Sequence, residues 1–461
     1  MTSVNETLRT ALEHALGPDG VIAGDAIGLK HHVDWTGKAP CAPALLLRPR
    51  STGAVAQALR LCHSASQPIV IQGGLTGLAG GATPRLGEYA LTLERLSGIE
   101  TIDANSATMT VGAGTTLSAI QDAAVDAGLQ FPLDLGARGS CTIGGNLATN
   151  AGGNRVIRYG MARDLVLGLE AVLADGTIVS SMNTVIKNNT GYDLKNLFIG
   201  SEGTLGVITR VVLRLHAAPK ERLTALVALA SFAHLVQLLR RVRAEFGASL
   251  GSFEVMWSNY YEFAAARVLS GSRQFAAEHP FYVVMEIESL SPIADRDKLE
   301  TWLAAEQDEG ALADAIIGTS IADSARLWRV RDAAGELIPS IDNPVSYDIS
   351  LPIGMMPEYL TQVQHKAAPL VDDRGVLIFG HIGDGNLHLV AGLKDAATAE
   401  ALDQIIYSTL AGEGSVSAEH GIGTLKRAYL KYTRSPTEIA LMRQIKTTLD
   451  PCNILNPGRV L

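Results

Sequence analysis

Three glycine-rich stretches constrain what this chain can fold into more than any other feature. The first, residues 73–81, follows an apolar strand pattern at residues 68–71, and more than half of its residues are glycine. Glycines this dense allow successive backbone N–H groups to point into one concavity, which binds a phosphate without using side chains. The sequence therefore predicts an ordered loop that holds a diphosphate.

A second stretch, residues 136–160, is also rich in glycine. The apolar residues Ile143, Leu147 and Val156 interrupt it, and predicted strands follow directly. A flexible linker would have no need of these apolar residues, so we expect a second ordered loop.

Two strands are predicted after it, over residues 165–174 and 177–181. They flank Asp175-Gly176, the strongest short hairpin signal. The third glycine-rich stretch, residues 200–206, precedes a predicted strand over residues 207–215. Each of the three stretches therefore lies next to a predicted strand.

Two common nucleotide-binding motifs are missing. Upstream of the first stretch, a strand at residues 44–47 is followed by a helix at residues 52–65, but neither G-x-G-x-x-G nor G-x-x-x-x-G-K-[ST] occurs. The sequence therefore argues against a Rossmann dinucleotide site and against a nucleoside triphosphatase.

A cluster of imidazoles lies near the C-terminus. His381 and His388 fall in residues 380–388, and Glu419 and His420 follow about thirty positions later. Imidazole and carboxylate groups among glycines are typical of a divalent metal site with a spare base beside it, which can polarise a substrate and remove its proton. A lone histidine is more often a packed or surface residue, and that is our interpretation of the chain's other histidines.

Composition narrows the class of partner. A length of 461 residues suggests two or three domains, and 47% hydrophobic with 18% charged residues is ordinary for a globular protein. The net charge of -9 comes without a basic stripe, so we expect neither nucleic acid nor an anionic membrane surface as partner.

The compartment is predicted from cysteines and the N-terminus. The four cysteines form no C-x-x-C pair, and residues 1–16 have helical spacing without a signal-peptide pattern, so we expect a cytoplasmic protein. Residues 223–239 are uncharged but fall short of the ~20 apolar residues that span a bilayer. We predict a strand over residues 223–230 and a helix that Ser231 caps.

The motifs together resemble one family. Residues 189–206, which contain the third glycine-rich stretch, complete four motifs that occur in the order typical of the vanillyl-alcohol oxidase and p-cresol methylhydroxylase flavoproteins. Within that superfamily the chain is most similar to D-2-hydroxyglutarate and D-lactate dehydrogenases and to the FAD subunit of glycolate oxidase. The resemblance covers about residues 40–461.

This resemblance implies an α+β fold. Residues 1–218 would form a two-subdomain FAD-binding domain with an N-terminal helical segment. Residues 219–420 would form an antiparallel-sheet cap that carries the substrate and metal sites. Residues 421–461 would return to the FAD domain.

The resemblance also implies where FAD binds. The diphosphate would lie on residues 73–81, the flavin and ribityl chain along residues 139–153, and the adenine near residues 202–208. Leu75 occupies the position at which relatives with a linked flavin have histidine, so we expect non-covalent FAD. The implied cofactor-binding residues are Gly73, Gly74, Leu75, Thr76, Gly77, Gly80, Gly81, Pro132, Gly139, Ser140, Thr142, Gly144, Gly145, Asn146, Thr149, Gly152, Gly153, Glu202, Gly203, Gly206, Ile208 and Asn456.

The metal ligands that the resemblance implies are His381, His388 and Glu419, a donor set suited to Zn²⁺ or Mn²⁺ with positions open for substrate. A 2-hydroxy acid would chelate the metal, His420 would accept the hydroxyl proton, and the hydride would pass to the flavin. Asn386 would hold the carboxylate or the flavin edge, or would simply be a turn residue.

Substrate range depends on cations. Arg331 falls where the family has its substrate arginine, and arginine binds carboxylates in bidentate fashion. The 2-hydroxyglutarate enzymes have a lysine where this chain has Ser346. This difference favours D-lactate or another D-2-hydroxy acid, unless Arg329, Lys366 or Lys426 reaches the second carboxylate.

Two alternatives stay open. One is non-redox or oxidase chemistry on the same fold, as in alkylglycerone-phosphate synthase. The other is a non-catalytic flavin subunit of a glycolate oxidase-like complex. For the favoured dehydrogenase, the resemblance implies electron-transfer flavoprotein or a quinone-linked carrier as electron acceptor, and we expect a homodimer.

Overall fold

The computed structural model describes residues 5–269 and 274–461, so residues 1–4 of the predicted N-terminal segment lie outside it. The chain divides into two compact units. Unit 1 consists of Met1–Gly153, Tyr159–Ala218 and Glu419–Leu461, and unit 2 of Asn154–Arg158 and Pro219–Ala418.

The boundaries of these units can be set beside the predicted domains. One boundary falls after Ala218, and unit 2 ends at Ala418, two residues before the predicted position. The short segment Asn154–Arg158 belongs to unit 2 because Arg155 and Arg158 form ion pairs with its buried carboxylates Glu286 and Glu288. Unit 1 is therefore interrupted within the second glycine-rich stretch, after Gly153.

Unit 1 contains most of the short elements. Its strands are β1 Val21–Ala23, β2 Leu45–Leu47, β3 Ile69–Gln72, β4 Tyr89–Thr92, β5 Ile99–Asp103, β6 Thr108–Gly112, β7 Leu129–Gln130, β8 Val166–Val172, β9 Ile178–Ser181, β10 Val207–Arg214 and β11 His216–Ala217. Its first helices are α1 Glu6–Leu16, α2 Thr52–Ser64, α3 Leu117–Asp126, α4 Ile143–Ala148, α5 Val156–Tyr159, which runs across the boundary between units, and α6 Lys195–Phe198.

Two main sheets form unit 1. One has the order β1-β2-β4-β3, with β4 parallel to both β2 and β3, and β2 is wholly buried. The other is antiparallel with the order β5-β6-β10-β8-β9. One hydrophobic core contains Leu59 of α2, Ile69 of the first sheet and Val211 of the second. These two sheets are the two predicted subdomains.

The predicted hairpin is confirmed. The N–H of Leu173 donates to Thr177 at 2.9 Å, and Asp175 accepts from the N–H of Thr177 at 2.8 Å. Gly176 has a φ of +82°, which glycine adopts without strain. The turn therefore fixes the β8–β9 register from local chemistry.

Unit 2 is built on one antiparallel sheet. Its strands are β12 Glu221–Leu229, β13 Leu250–Trp257, β14 Phe281–Ser289, β15 Asp314–Ile317, β16 Pro344–Ser350, β17 Leu377–Gly380 and β18 Asn386–Gly392. Its helices are α7 Phe232–Phe246, α8 Ser258–Val268, α9 Pro292–Asp308, α10 Ile321–Asp332, α11 Ala334–Leu337, α12 Met356–Ala367 and α13 Ala399–Ser408. The strand order is β15-β12-β14-β13-β17-β18-β16.

The uncharged run in unit 2 forms the predicted strand and helix. Ser231 caps α7, where its hydroxyl accepts the N–H of His234 at 3.2 Å. A separate hydrophobic core contains Leu327 and Val330 of α10 together with Phe379 and Val390 of the sheet. Among the described residues, no helix is long and apolar enough to cross a membrane.

The C-terminal segment returns to unit 1. After α14 Pro436–Leu449, Ile454 accepts the N–H of Ile69 at 2.7 Å, and the N–H of Asn456 donates to Ile69 at 2.9 Å. These bonds join the segment to β3, directly before the first glycine-rich stretch. The predicted return segment is confirmed.

Candidate functional site

The first glycine-rich stretch presents free backbone donors. No acceptor in the described part of the chain receives a hydrogen bond from any N–H of residues 73–81. Leu75 has a φ of +59° and Gly80 of +73°, so the backbone turns repeatedly between strands β3 and β4. Orphaned N–H groups in one loop suit a diphosphate, and the stretch therefore fits the group predicted for it.

The second stretch closely approaches the first. A Cβ on Gly73 would lie 2.8 Å from the Thr142 hydroxyl, and a Cβ on Gly74 would lie 2.1 Å from the carbonyl oxygen of Ser140. Thr142 Oγ1 is buried, and no group in the described residues bonds it. Only glycine permits this approach, which leaves a buried hydroxyl for a polar atom of a cofactor.

Several predicted cofactor residues have local packing roles. A Cβ on Gly144 would lie 2.8 Å from Ala113, one on Gly206 would lie 2.8 Å from the Phe198 ring, and one on Gly153 would lie 2.2 Å from Asp134 O. The remaining predicted residues also lie in unit 1: Thr76, Gly77, Gly81, Pro132, Gly139, Gly145, Asn146, Thr149, Gly203 and Ile208.

Glu202 is bonded to the main chain. Its carboxylate accepts the N–H groups of Ile422 at 2.6 Å and Gly423 at 2.8 Å. Burial raises the pKa of Glu202, and these two hydrogen bonds oppose that rise. Asn456 accepts the N–H of Ile71 at 2.8 Å and donates to the carbonyl of Glu202.

The imidazoles of unit 2 come together at a hairpin. His381 follows β17 and His388 lies in β18, and their ring centroids are 5.3 Å apart. The loop closes because the N–H groups of Asp384 and Asn386 both donate to His381 O. Two histidines seven positions apart in sequence thus become neighbours.

A buried acid orients His381. Glu254 of β13 accepts His381 Nδ1–H at 2.7 Å and binds Arg331 at 2.9 Å through Nε and 2.8 Å through Nη2. Burial alone would raise the pKa of Glu254, but His381 and Arg331 outweigh it and lower that pKa. Because Nδ1 is held by the carboxylate, the Nε2 lone pair is directed away from it and can bind a metal.

Arg331 adds positive charge beside the imidazoles. Its Nη2 lies 3.4 Å from His381 Nε2, and its guanidinium carbon lies 4.9 Å from the centroid of the Phe379 ring. The guanidinium is buried and fixed, which suits it to attract a carboxylate to this end of β17.

Asp348 of β16 accepts several hydrogen bonds beside His388. It lies opposite His388 in the β16–β18 ladder and is completely buried. It accepts Asn386 Nδ2 at 2.8 Å, Ser417 Oγ at 3.2 Å and the N–H of Ala418 at 3.1 Å. Asn386 Oδ1 is buried with no partner in the described residues, so its carbonyl is the end that could bind a ligand.

Glu419 and His420 follow Ala418 directly and belong to unit 1. A Cβ on Gly152 would lie 2.5 Å from Glu419 Oε1, so this glycine of the second stretch is required beside the carboxylate. Imidazole nitrogens and a carboxylate oxygen are the donors that Zn²⁺ and Mn²⁺ accept, and the residue types fit the predicted metal.

The structure adds two residues that the sequence did not identify, Glu254 and Asp348. Each is an acid whose two neighbours in its strand are buried apolar or aromatic residues, and Glu254 and Asp348 are 99% and 100% buried. A buried carboxylate is costly unless it is paired, so an acid between apolar residues of a strand-like segment was the available signal.

The cations considered for a second carboxylate have other partners. Arg329 forms a two-point ion pair with Glu336, and Lys366 donates to Gln362 and Thr409 on an exposed face. Lys426 is buried in unit 1, where it interacts electrostatically with Glu202.

Comparison with known proteins identifies the family. Residues 218–460 match the C-terminal domain of FAD linked oxidases, and residues 43–181 match an FAD binding domain. The chain is 39% identical to the mitochondrial D-2-hydroxyglutarate dehydrogenase of Bos taurus over 99% of this chain and 84% of that one. It is 40% identical to the D-2-hydroxyglutarate dehydrogenase of Xanthomonas citri over 93% and 91%.

A solved structure of p-cresol methylhydroxylase with substrate bound is 15% identical and has a TM-score of 0.78, covering 99% of this chain and 96% of that one. An alkyldihydroxyacetonephosphate synthase structure is 17% identical with a TM-score of 0.74, covering 99% and 85%. These two likenesses show the fold, and the predicted α+β class is confirmed. The chain belongs to the FAD-linked oxidase family and is an FAD-dependent D-2-hydroxyacid dehydrogenase.

Proposed function

We propose that this dehydrogenase uses Zn²⁺ or Mn²⁺ held by His381, His388 and Glu419, and that its substrate is a D-2-hydroxy acid without a second carboxylate, of the D-lactate class. One observation carries the substrate class: Ser346 lies opposite Val390 in the β16–β18 ladder, and neither is charged. A second carboxylate bound there would lack the cationic partner that its desolvation requires.

The proposed roles follow from the contacts in each unit. Glu254 holds Arg331 in place to orient the substrate carboxylate, and it fixes the tautomer of His381. His420 accepts the hydroxyl proton, and the Asn386 carbonyl, which has no partner among the described residues, is available to the substrate. When bound, the metal supplies Lewis-acid polarisation of the hydroxyl and FAD supplies a hydride acceptor.

D-2-Hydroxyglutarate is the second candidate substrate. The relatives that are 39% and 40% identical are named for that acid, whereas a putative D-lactate dehydrogenase of Schizosaccharomyces pombe is 34% identical over 92% of this chain. Overall similarity favours the dicarboxylate, and the uncharged Ser346 favours the monocarboxylate. The local charge at position 346 bears more directly on binding of a second carboxylate than overall similarity does.

The remaining proposals concern the flavin link and the partners. We propose non-covalent FAD, because Leu75 cannot form the histidyl bond. Electron-transfer flavoprotein or a quinone-linked carrier is the proposed acceptor, a homodimer the proposed assembly and the cytoplasm the proposed compartment, all on the sequence arguments above.

Anaerobic flavin reduction tests the proposal. Purified protein is mixed with D-lactate, D-2-hydroxyglutarate, D-malate and their L forms, and the loss of flavin absorbance is followed. We expect D-lactate to reduce the flavin fastest, chelated protein to react slowly, and His420→Ala to slow reduction by about 10²-fold or more. Exposed His365 of α12 offers a matched control, and His365→Ala should keep the normal rate.

Each component can fail separately. Faster flavin reduction by D-2-hydroxyglutarate than by D-lactate would refute the proposed monocarboxylate substrate. An undiminished rate in metal-free protein would refute the metal, and an undiminished rate in His420→Ala would refute the base.

A further inference from the structure

Glu419 and His420 lie in a segment without regular structure. Residues 417–423 form only bends and irregular backbone between α13 and the C-terminal helices. Such a segment has no ladder of backbone hydrogen bonds to fix it, yet a metal ligand and a base need fixed positions. Side chains outside the segment must therefore hold it in place.

A carboxylate holds the segment on its N-terminal side. Within unit 2, Asp348 Oδ2 accepts both the hydroxyl of Ser417 at 3.2 Å and the N–H of Ala418 at 3.1 Å, while Oδ1 accepts Asn386 Nδ2. Asp348 is completely buried on β16 opposite His388. The residue before Glu419 is thereby fixed to the strand pair that carries a proposed ligand.

A second carboxylate holds the C-terminal side. Within unit 1, Glu202 Oε1 accepts the N–H of Ile422, and Oε2 accepts the N–H of Gly423. A Cβ on Gly421 would lie 2.9 Å from Glu202 Cδ, so glycine is needed for the chain to close onto this carboxylate. The N–H of Thr424 continues the attachment by donating to Ala79 of the first glycine-rich stretch.

We propose that Asp348 and Glu202 are positioning residues that hold the Glu419-His420 dipeptide from its two ends, and that Glu202 thereby couples the third glycine-rich stretch to the metal ligand and the base. This inference rests on the proposed roles of Glu419 and His420. Glu202 would then position residues 417–423 in addition to forming part of the FAD-binding domain.

Both oxygens of each carboxylate must accept hydrogen bonds to hold the segment. Both oxygens of Glu202 face N–H donors, so a glutamine would place its NH₂ group against one of them. Both oxygens of Asp348 also accept N–H groups, so an asparagine would meet the same conflict. Either substitution should release one attachment while preserving the size of the side chain.

The test uses the full-length holoprotein carrying Glu202→Gln or Asp348→Asn. FAD content is measured by absorbance, affinity for Zn²⁺ alone and Mn²⁺ alone by calorimetric titration of metal-depleted protein, and kcat and KM by steady-state turnover. We expect metal affinity to fall by about 10- to 100-fold, as for other groups that orient metal ligands. We also expect kcat to fall at least as far, with FAD still bound.

Matched controls separate positioning from stability. Asp450 in unit 1 accepts the successive N–H groups of Ile454 and Leu455, as Glu202 does for Ile422 and Gly423. Asp295 in unit 2 accepts a serine hydroxyl and an N–H, as Asp348 does. Asp450→Asn and Asp295→Asn should lower thermal stability but leave metal affinity normal.

Gly421→Ala provides a second route if the carboxylate variants do not fold. It keeps both carboxylates but forces the loop away from Glu202, and it should weaken metal affinity in the same way. Normal metal affinity and kcat in these variants, in protein whose wild type binds metal and needs His420, would overturn the inference. A wild type that binds no metal and does not need His420 would instead refute the proposed function.

Discussion

At the scale of single residues, the acid Glu254 decides how two functional side chains are presented. It is 99% buried and shares its two oxygens between His381 and Arg331, which lie 127 and 77 positions away in sequence. Neither side chain would remain in a fixed orientation without it. The carboxylate therefore determines which imidazole nitrogen is available and where the guanidinium lies.

Glu254→Gln should destabilise the protein and weaken the site together. A buried Arg331 left without its counter-charge costs about 3–5 kcal/mol of unfolding free energy. His381 would also lose its fixed tautomer, so affinity for Zn²⁺ should fall. Urea unfolding and metal titration measure the two effects.

Glu306 offers the matched control for that change. It is also a buried acid of unit 2 that lies on helix α9 and not in the imidazole hairpin, and it pairs with Arg241 2.8 Å away. Glu306→Gln should lower stability and leave metal affinity unchanged. Equal metal affinity in the two variants would show that Glu254 only stabilises the fold.

At the scale of elements, the proposed substrate class depends on the edge strand β16. Side chains two apart share a face of a strand, so Ser346 lies on the same face as Asp348, and its partner Val390 belongs to the core that contains α10. Ser346 itself is exposed. A cation introduced there would lie on the face that α10 and Arg331 share.

Ser346→Lys should therefore shift preference toward the dicarboxylate. A hydrogen bond to a charged group contributes about 1.5–3 kcal/mol, which corresponds to roughly tenfold or more in the ratio of kcat/KM for D-2-hydroxyglutarate over D-lactate. Val345→Lys adds the same charge on the opposite face and should leave the ratio unchanged. An equal shift in both variants would mean that general electrostatic attraction, not this position, changes the preference.

At the scale of the whole molecule, the FAD-binding stretches and the imidazole hairpin belong to different units with separate hydrophobic cores. All three glycine-rich stretches lie in unit 1 except for the segment Asn154–Arg158, whereas His381 and His388 lie in unit 2. Loss of FAD should consequently act on unit 1 alone.

Gly74→Ala tests this separation. Its Cβ would lie 2.1 Å from Ser140 O, so the two loops must move apart, and we expect FAD to be lost. In the wild type, FAD at 100 times its dissociation constant should add about 2.7 kcal/mol to the unfolding free energy of unit 1, which calorimetry detects as a higher midpoint temperature for one of two transitions. In the variant, added FAD should leave both midpoint temperatures unchanged.

Gly28→Ala is the matched control, because Gly28 has a φ of -62° and no atom lies within 4 Å of the position that its Cβ would occupy. The Gly28→Ala protein should still bind FAD and should show both unfolding transitions. A single transition that FAD raises as a whole would show that the two units unfold as one.

The sequence by itself determined the features that local chemistry controls. The Asp175-Gly176 turn and the Ser231 cap form through contacts between residues two or three positions apart. The glycine-rich stretches could be located because only glycine tolerates the close approaches of Gly73 and Gly74. The motif order indicated the family, and the FAD-binding fold followed from it.

Only the tertiary structure decided the partners of the buried acids. Glu202 bonds a loop 220 positions away, and Asp348 bonds one about 70 positions away. No local pattern specifies such pairs, because they depend on the order of the strands in a sheet and on which distant chain segments fold into the same unit. A buried carboxylate needs a partner because desolvation is costly, but three-dimensional proximity alone determines which group that partner is.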